Sequence, residues 1–343
     1  MPALTPSFVF DLERNMRLVA ATDYQRLTEN LWWTKMAKLM TSSAKTERVS
    51  WLLDTAKIER TITGGGQVTF EDMVLLTTEF VNLNAAAGLK LKKEQLEDLD
   101  GNGVQLATGW ARMIGAYAAY WPQKMLAAAL IANPITYDGQ AFFSAAHPVN
   151  PQNTALGTFQ NVFTGAAAGL YPGAVPIDIS VTVDVAVNNL QKIIAYIAGV
   201  KMPNGVDPRF LRTQYIFHPP ALAARVQQIL NAKFIAQAAV TGGGSADITG
   251  AIANWGFGIP VQIDELASAF GGSDTTYYIG TKDILSSELG AFVYVNREPF
   301  SIVFNGPQTD AELARKRELQ WTTEGRNVIG AGHPFLLYQC KAA

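Results

Sequence analysis

The chain has one cysteine (Cys340), three histidines and few charged residues. A single cysteine excludes an intrachain disulfide and gives no support to an oxidising destination. Charged side chains are 16% of 343 residues and the formal net charge is −2. That balance argues against a dedicated nucleic-acid binder, which would carry a basic excess on one domain. Apolar runs are cut by Arg112, Pro122, Gln123 and Lys124, so none reaches the roughly 20 residues of a membrane span. The opening MPALTPSFVFDLERNMRL has no basic region leading into an apolar one and reads as carrying no signal peptide.

Motifs for chemistry are equally sparse. His147, His218 and His333 each precede a proline, and none lies in a metal-ligand spacing such as H-E-x-x-H, so all three read as satisfied turn residues. Gly64–Gly66 and Gly242–Gly244 are not followed by Lys-Ser or Lys-Thr; they read as loop tips, not phosphate cradles. No G-x-S-x-G elbow is present, and Cys340 has no base nearby in sequence, which makes it a small buried hydrophobe. DLDGNG, Asp98–Gly103, matches the first half of a calcium loop. The acidic ligand expected at position 12 is replaced by Gly109, so a turn capping the next helix is the better reading. No catalytic, metal or cofactor-binding residue is assigned.

What the chain does have is apolar surface. Hydrophobic residues make up 48%, and low charge with many aromatics implies surface buried against other copies. The organising stretch is Val104–Ala132. Leu106, Trp110, Met113, Ile114, Tyr117, Tyr120 and Trp121 recur at helical spacing and form one apolar face of a spine helix roughly 40 Å long. Gln105, Thr108, Arg112, Ala119 and Gln123 fall mostly on the other side. Pro122 predicts a kink or break.

The remaining chain divides around this spine. Residues 1–45 read as an N-terminal arm with short amphipathic pieces (Leu12, Met16, Val19; Leu31, Lys35, Lys38) that must lie on something else. Residues 46–91 read as an extended β-hairpin loop with charges alternating in sign; a hairpin alone is marginal in water, which favours support from another subunit. Residues 92–176 hold the spine and a Gly/Pro-rich segment. Residues 177–290 read as an α/β lobe. Its first helix starts at the cap Thr182, has Val183, Val187, Leu190, Ile194 and Ile197 on one face, and stops at Gly199. A strand follows at Gln214–Phe217, then a helix opened by Pro220. Residues 291–343 read as strands Phe292–Val295, Phe300–Phe304, Leu319–Thr323 and Pro334–Cys340, with turns at Asn305-Gly306 and Gly325–Gly332. Their late position makes the α/β lobe an insertion.

The run TYDGQAFFSAAHPVN, Thr136–Asn150, resembles the segment after the spine helix in Mu-like phage major head subunits. TERVSWL (Thr46–Leu52), IER (Ile58–Arg60), GLKLKKEQLEDLD (Gly88–Asp100) and IFHPPALAARVQQILN (Ile216–Asn231) resemble the same family in the same order. The resemblance covers about residues 45 to 235. It implies an α+β chain with the Hong Kong 97-type major capsid fold: N-terminal arm, extended loop, peripheral domain with a spine helix, and axial α/β domain.

The implied function is that of a major head protein, self-assembling as pentamers and hexamers into the icosahedral shell of a tailed phage or prophage-like particle. Partners are then copies of itself, with scaffold, portal and decoration proteins, and DNA held by weak non-specific contact. The implied location is the virion, assembled in the host cytoplasm. Trp51, Glu59 and Arg60 of the extended loop are the expected subunit-interface residues. An encapsulin-like shell or gene-transfer-agent capsid is an alternative in the same fold. A soluble hydrolase is an alternative of another class, and would need His147, His218 and an acid to converge in a cleft.

Overall fold

The computed structural model describes residues 5–28, 31–53, 74–97, 102–163, 177–231, 234–236, 247–249, 258–284, 290–307, 309–315 and 318–341. They fall into two compact units, the first made of Met1–Glu47, Phe80–Leu126 and Tyr294–Gly330, the second of Arg48–Glu79, Ala127–Val293 and Ala331–Ala343.

The first unit begins with α1, Pro6–Thr28, one helix of 23 residues. Pro6 opens it because a first-turn residue needs no intrahelical N–H bond. Sequence spacing suggested only short pieces here; Val9, Leu12 and Met16 instead hold the whole helix against a core. The helical spacing of Leu31, Lys35 and Lys38 does not produce a helix either. Trp32–Lys35 is a single 3-10 turn leading into strand β1, Ala37–Thr41.

Strands β2 (Thr46–Leu53) and β3 (Val74–Val81) pair as a two-stranded sheet, with Arg48 Nε donating to Glu79 Oε1 at 2.6 Å. Strand β4, Leu83–Lys92, then passes through the short helix α2, Lys93–Glu97, to the spine α3, Asn102–Ala132. The spine runs through Pro122 without a break.

Four strands make the sheet of the first unit, in the order β1-β13-β14-β4, where β13 is Phe292–Phe304 and β14 is Glu318–Ala331. β14 and β4 pair antiparallel from Glu318↔Lys92 to Asn327↔Leu83. One face of β14 points inward at Leu319, Trp321, Thr323, Gly325 and Asn327, the alternation expected of a half-buried strand. Trp321 is completely buried and lies 5.3 Å from the Phe304 ring. The two strands expected at Phe292–Val295 and Phe300–Phe304 form one continuous strand. The turn expected at Gly325–Gly332 is strand as far as Ala331. Those glycines make room rather than a bend: a Cβ at Gly325 would lie 2.9 Å from the Phe300 ring, and one at Gly330 would lie 2.1 Å from Phe80.

The second unit is built on a five-stranded mixed sheet in the order β11-β8-β12-β15-β7. Before it lie the small pair β5 (His147–Pro148) and β6 (Thr158–Phe159). The sheet strands are β7 (Val162–Phe163), β8 (Leu211–His218), β11 (Ile259–Gln262), β12 (Tyr277–Asp283) and β15 (Leu337–Cys340). Two helices belong to it: α4, Val183–Ala198, following Thr182 and ending at Gly199, and α5, Ala223–Asn231, after a turn opened by Pro220. α4 buries Ala186, Val187, Leu190, Ile193 and Ile197, so Ile193 takes the inward place expected of Ile194. A short pair, β9 (Phe234–Ala236) and β10 (Asp247–Thr249), also lies in the second unit, and a one-turn-and-a-half helix α6 (Asp310–Arg315) in the first.

Candidate assembly surface

The spine helix presents the face that sequence reasoning placed inside. Ala107 and Ala111 are fully buried and Ala119 nearly so, whereas Leu106, Met113 and Tyr117 are 52%, 57% and 61% exposed. Gln123, expected on the polar side, is also buried. The cause is steric. Small residues at i, i+4 and i+8 let other backbone come close; at Gly115 a Cβ would stand 2.3 Å from the Ala20 carbonyl oxygen of α1. Of the bulky stripe, Trp110 and Ile114 pack partly against the core, and Trp121 donates its Nε1 hydrogen to Asn327 Oδ1 at 2.8 Å. Leu106, Met113 and Tyr117 remain outward. Leu106 and Met113 line a groove of about 660 Å³ together with Leu89, Leu91, Gly109 and Trp110. Large apolar side chains gathered at an open groove are what an association surface looks like.

The distinctive segment after the spine forms an internally satisfied knot. Asp138 Oδ2 lies 2.6 Å from His147 Nδ1, and His147 Nε2 lies 3.0 Å from the Phe142 carbonyl oxygen. Gly139, with φ +80°, supplies the left-handed turn that brings Asp138 round. Burial acts to raise the Asp138 carboxyl. The bonds from His147 and Thr136, the histidine's charge and the Gln140 N–H outweigh it and hold the group below its ordinary value. The Phe142 carbonyl can only accept, so Nε2 donates to it. Asn161 closes the knot, with Nδ2 donating to Phe142 O at 2.6 Å and to Pro334 O at 3.0 Å, while its Oδ1 accepts from Ser144 N at 2.9 Å. Phe142 stacks on Phe292 at 4.4 Å.

His218, His333 and Cys340 are buried as well. His218 is buried, with Nδ1 at 3.0 Å from the Pro219 oxygen, and burial lowers its pKa. Burial, and then the charge of Arg209, push His333 down to about 3, so it is neutral. The Arg209 guanidinium sits 3.5 Å over the Phe335 ring. Cys340 is fully buried, and burial raises its thiol. His147 is fully buried and His218 nearly so; the acid beside His147 is an internal partner, which removes the observation the hydrolase alternative needed. Among the described residues no group of His, Cys, Asp and Glu is arranged to hold a metal, and no helix is long and apolar enough to cross a membrane.

Of the expected interface residues, Trp51 lies in β2, and its side chain is outside the description. Glu59 and Arg60 lie outside the described residues, as do Asp98 and Asp100 of the acidic turn and both glycine runs. Asn102 is the first residue of the spine. Sequence reasoning missed the outward stripe; the signal available was the run of small residues at Ala107, Ala111, Gly115 and Ala119.

The class follows from the architecture. The capsid protein of Cyanophage P-SCSP1u shares it with a TM-score of 0.51 at 15% identity, over 90% of this chain and 86% of that one. The fold is that of tailed-phage major capsid proteins, the Hong Kong 97 type. Residues 15–172 match the family model for the Mu-like prophage major head subunit gpT. The procapsid of bacteriophage JBD30 is also similar (TM-score 0.47, 15% identity, 99% of this chain and 77% of that one), as is its capsid (0.44, 12%, 91% and 66%). The chain thus spans just under two thirds of the JBD30 capsid chain. No curated protein sequence matches it.

Proposed function

We propose that this chain is the major head subunit that builds the closed shell around the genome of a Mu-like tailed phage or prophage-derived particle. The observation that carries the reading is the family match over residues 15–172, which takes in the second half of α1, the hairpin, the spine and the Asp138–His147 knot. The work of such a subunit is assembly. Residues 1–45 serve as the arm and 46–91 as the extended loop. Residues 92–176 and 291–343 form the peripheral domain, and 177–290 the axial domain. Trp51, Glu59 and Arg60 lie on a neighbouring subunit. The chain meets scaffold, portal and decoration proteins during head assembly in the host cytoplasm. Its net charge of −2 leaves DNA held by enclosure rather than by affinity.

The test is size-exclusion chromatography and negative-stain electron microscopy of the overexpressed chain, alone and with its scaffold. Closed shells, or pentamers and hexamers far above 37.1 kDa, support the reading; a monomer under all these conditions overturns it. Deleting Lys57–Phe70 tests the loop assignment separately: a folded subunit that no longer closes shells is expected, and shells of normal size would refute that assignment.

A further inference from the structure

We propose that the open edge of β4 and the adjoining apolar stripe of α3 form one docking surface, and that its occupant is a second copy of this chain whose β1 edge extends the sheet head to tail. The inference rests on the shell-building reading and adds where copies join.

β4 is 10 residues long. One side is used by β14 along its whole register; among the described residues no strand pairs with the other side. From Leu83 to Leu89 it carries no charged side chain, and Lys90 and Lys92 stand only at its far end. Natural edges are usually blunted by lysine, proline or a bulge, because unpaired N–H and C=O groups recruit another strand. This one is left bare where it is apolar: Leu83 is 63% exposed and Val81, just before it, 47%. The groove lined by Leu89 and Leu91 of β4 joins this edge to Leu106, Trp110 and Met113 of the spine. Backbone bonding and apolar burial are therefore on offer side by side.

The chain itself carries the complementary element. The opposite edge of the same sheet is β1, 5 residues long, also paired on one side only among the described residues. Leu39, at its centre, is 52% exposed. A sheet with two unlike open edges joins copies heterologously, β1 of one on β4 of the next. Such a contact closes into rings when the rotation per copy allows, which is the symmetry of a pentamer or hexamer. β1 covers about half of β4, and the groove takes up the apolar side chains beside it.

Cysteine cross-linking tests this directly, because the sole native cysteine is buried. Leu39→Cys is mixed with Ala85→Cys, Ala86→Cys or Ala87→Cys, the particles are assembled, and a short bifunctional maleimide is added. At least one mixture is expected to give a band of two copies that neither variant gives alone, and the chain carrying both cysteines a ladder. Assembled particles without these bands, or with bands from the single variants only, overturn the proposal. Independently, Met113→Glu alters an outward side chain; the circular dichroism of the subunit should not change while shells are lost. Normal shells from Met113→Glu sink this surface but leave the shell-building reading intact, whereas a native chain that never assembles sinks both.

Discussion

Gly115 of the spine and Ala20 of α1 stand in backbone contact: a Cβ on the glycine would lie 2.3 Å from the alanine's carbonyl oxygen and 3.0 Å from its Cα. The closest atoms are backbone, so no rotamer change relieves a larger residue. Gly115→Val is therefore expected to drive α1 off the spine and destabilise the first unit by about 1–3 kcal/mol, the usual cost of overpacking a tight contact. The measurement is urea unfolding of native and variant chains, with limited proteolysis to follow α1. Unchanged stability together with an α1 that resists cleavage would contradict the crossing.

Trp121 reaches from the spine to β14. Its Nε1 donates to Asn327 Oδ1 at 2.8 Å, and its ring meets Phe300 edge-on at 6.2 Å. Trp121→Phe keeps a ring there and removes the donor, leaving the oxygen of Asn327, a residue 1% exposed, without that bond. The expected loss is about 1–3 kcal/mol, read by denaturant unfolding. Asn327→Leu in the same background should recover part of it, because replacing both partners by apolar groups is milder than orphaning one. A double variant less stable than Trp121→Phe would show that the bond is not what holds this spot.

The same helix shows how far the sequence could be read. Its existence and span were legible, because a helical stretch over Val104–Ala132 bounded by a turn and Asn133-Pro134 admits little else. Which face points inward was not. Periodicity finds an apolar stripe but does not tell burial within a chain from burial between chains, and here the bulky stripe carrying Leu106, Met113 and Tyr117 is outward while alanines and Gly115 face in. Pro122 does not bring the break that was one of its two expected effects: the helix continues through it, as a helix held by packing on both sides of a proline can. In the second unit, α4 and β8 were legible from the glycine stop and apolar runs, although the Thr182 side chain bonds to Asp184 and makes no cap bond to the helix backbone. The Asp138–His147 pair was not, since both residues read as turn formers; the family resemblance marked the segment without explaining it.

Cys340 is fully buried in β15, with Tyr277 of β12 as a neighbour, and burial raises its thiol well above the ordinary value. The thiolate is the reactive form. Ellman's reagent should therefore label native chain negligibly over an hour at pH 8 and label one thiol per chain promptly in guanidinium. Rapid labelling without denaturant would mean that the edge of this sheet opens.

The Asp138–His147 pair gives the second unit an acid-sensitive element. The two side chains are 2% and 0% exposed, 2.6 Å apart, and the carboxyl is held below its ordinary value in the folded chain. A carboxylate with a lowered folded pKa binds its proton more readily when unfolded. Its contribution is thus fully present above the unfolded value of about 3.9 and fades as pH falls through the folded one. Asp138→Asn should cost about 3–5 kcal/mol near neutrality, the range for removing one partner of a buried pair. The deficit should shrink as pH falls below about 4, because the native chain loses the pair as well. Melting temperatures of native and Asp138→Asn chains between pH 7 and pH 3 measure this. Parallel curves would mean that the carboxylate's charge contributes nothing to holding the knot, and that Thr136, Gln140 and Asn161 hold it instead.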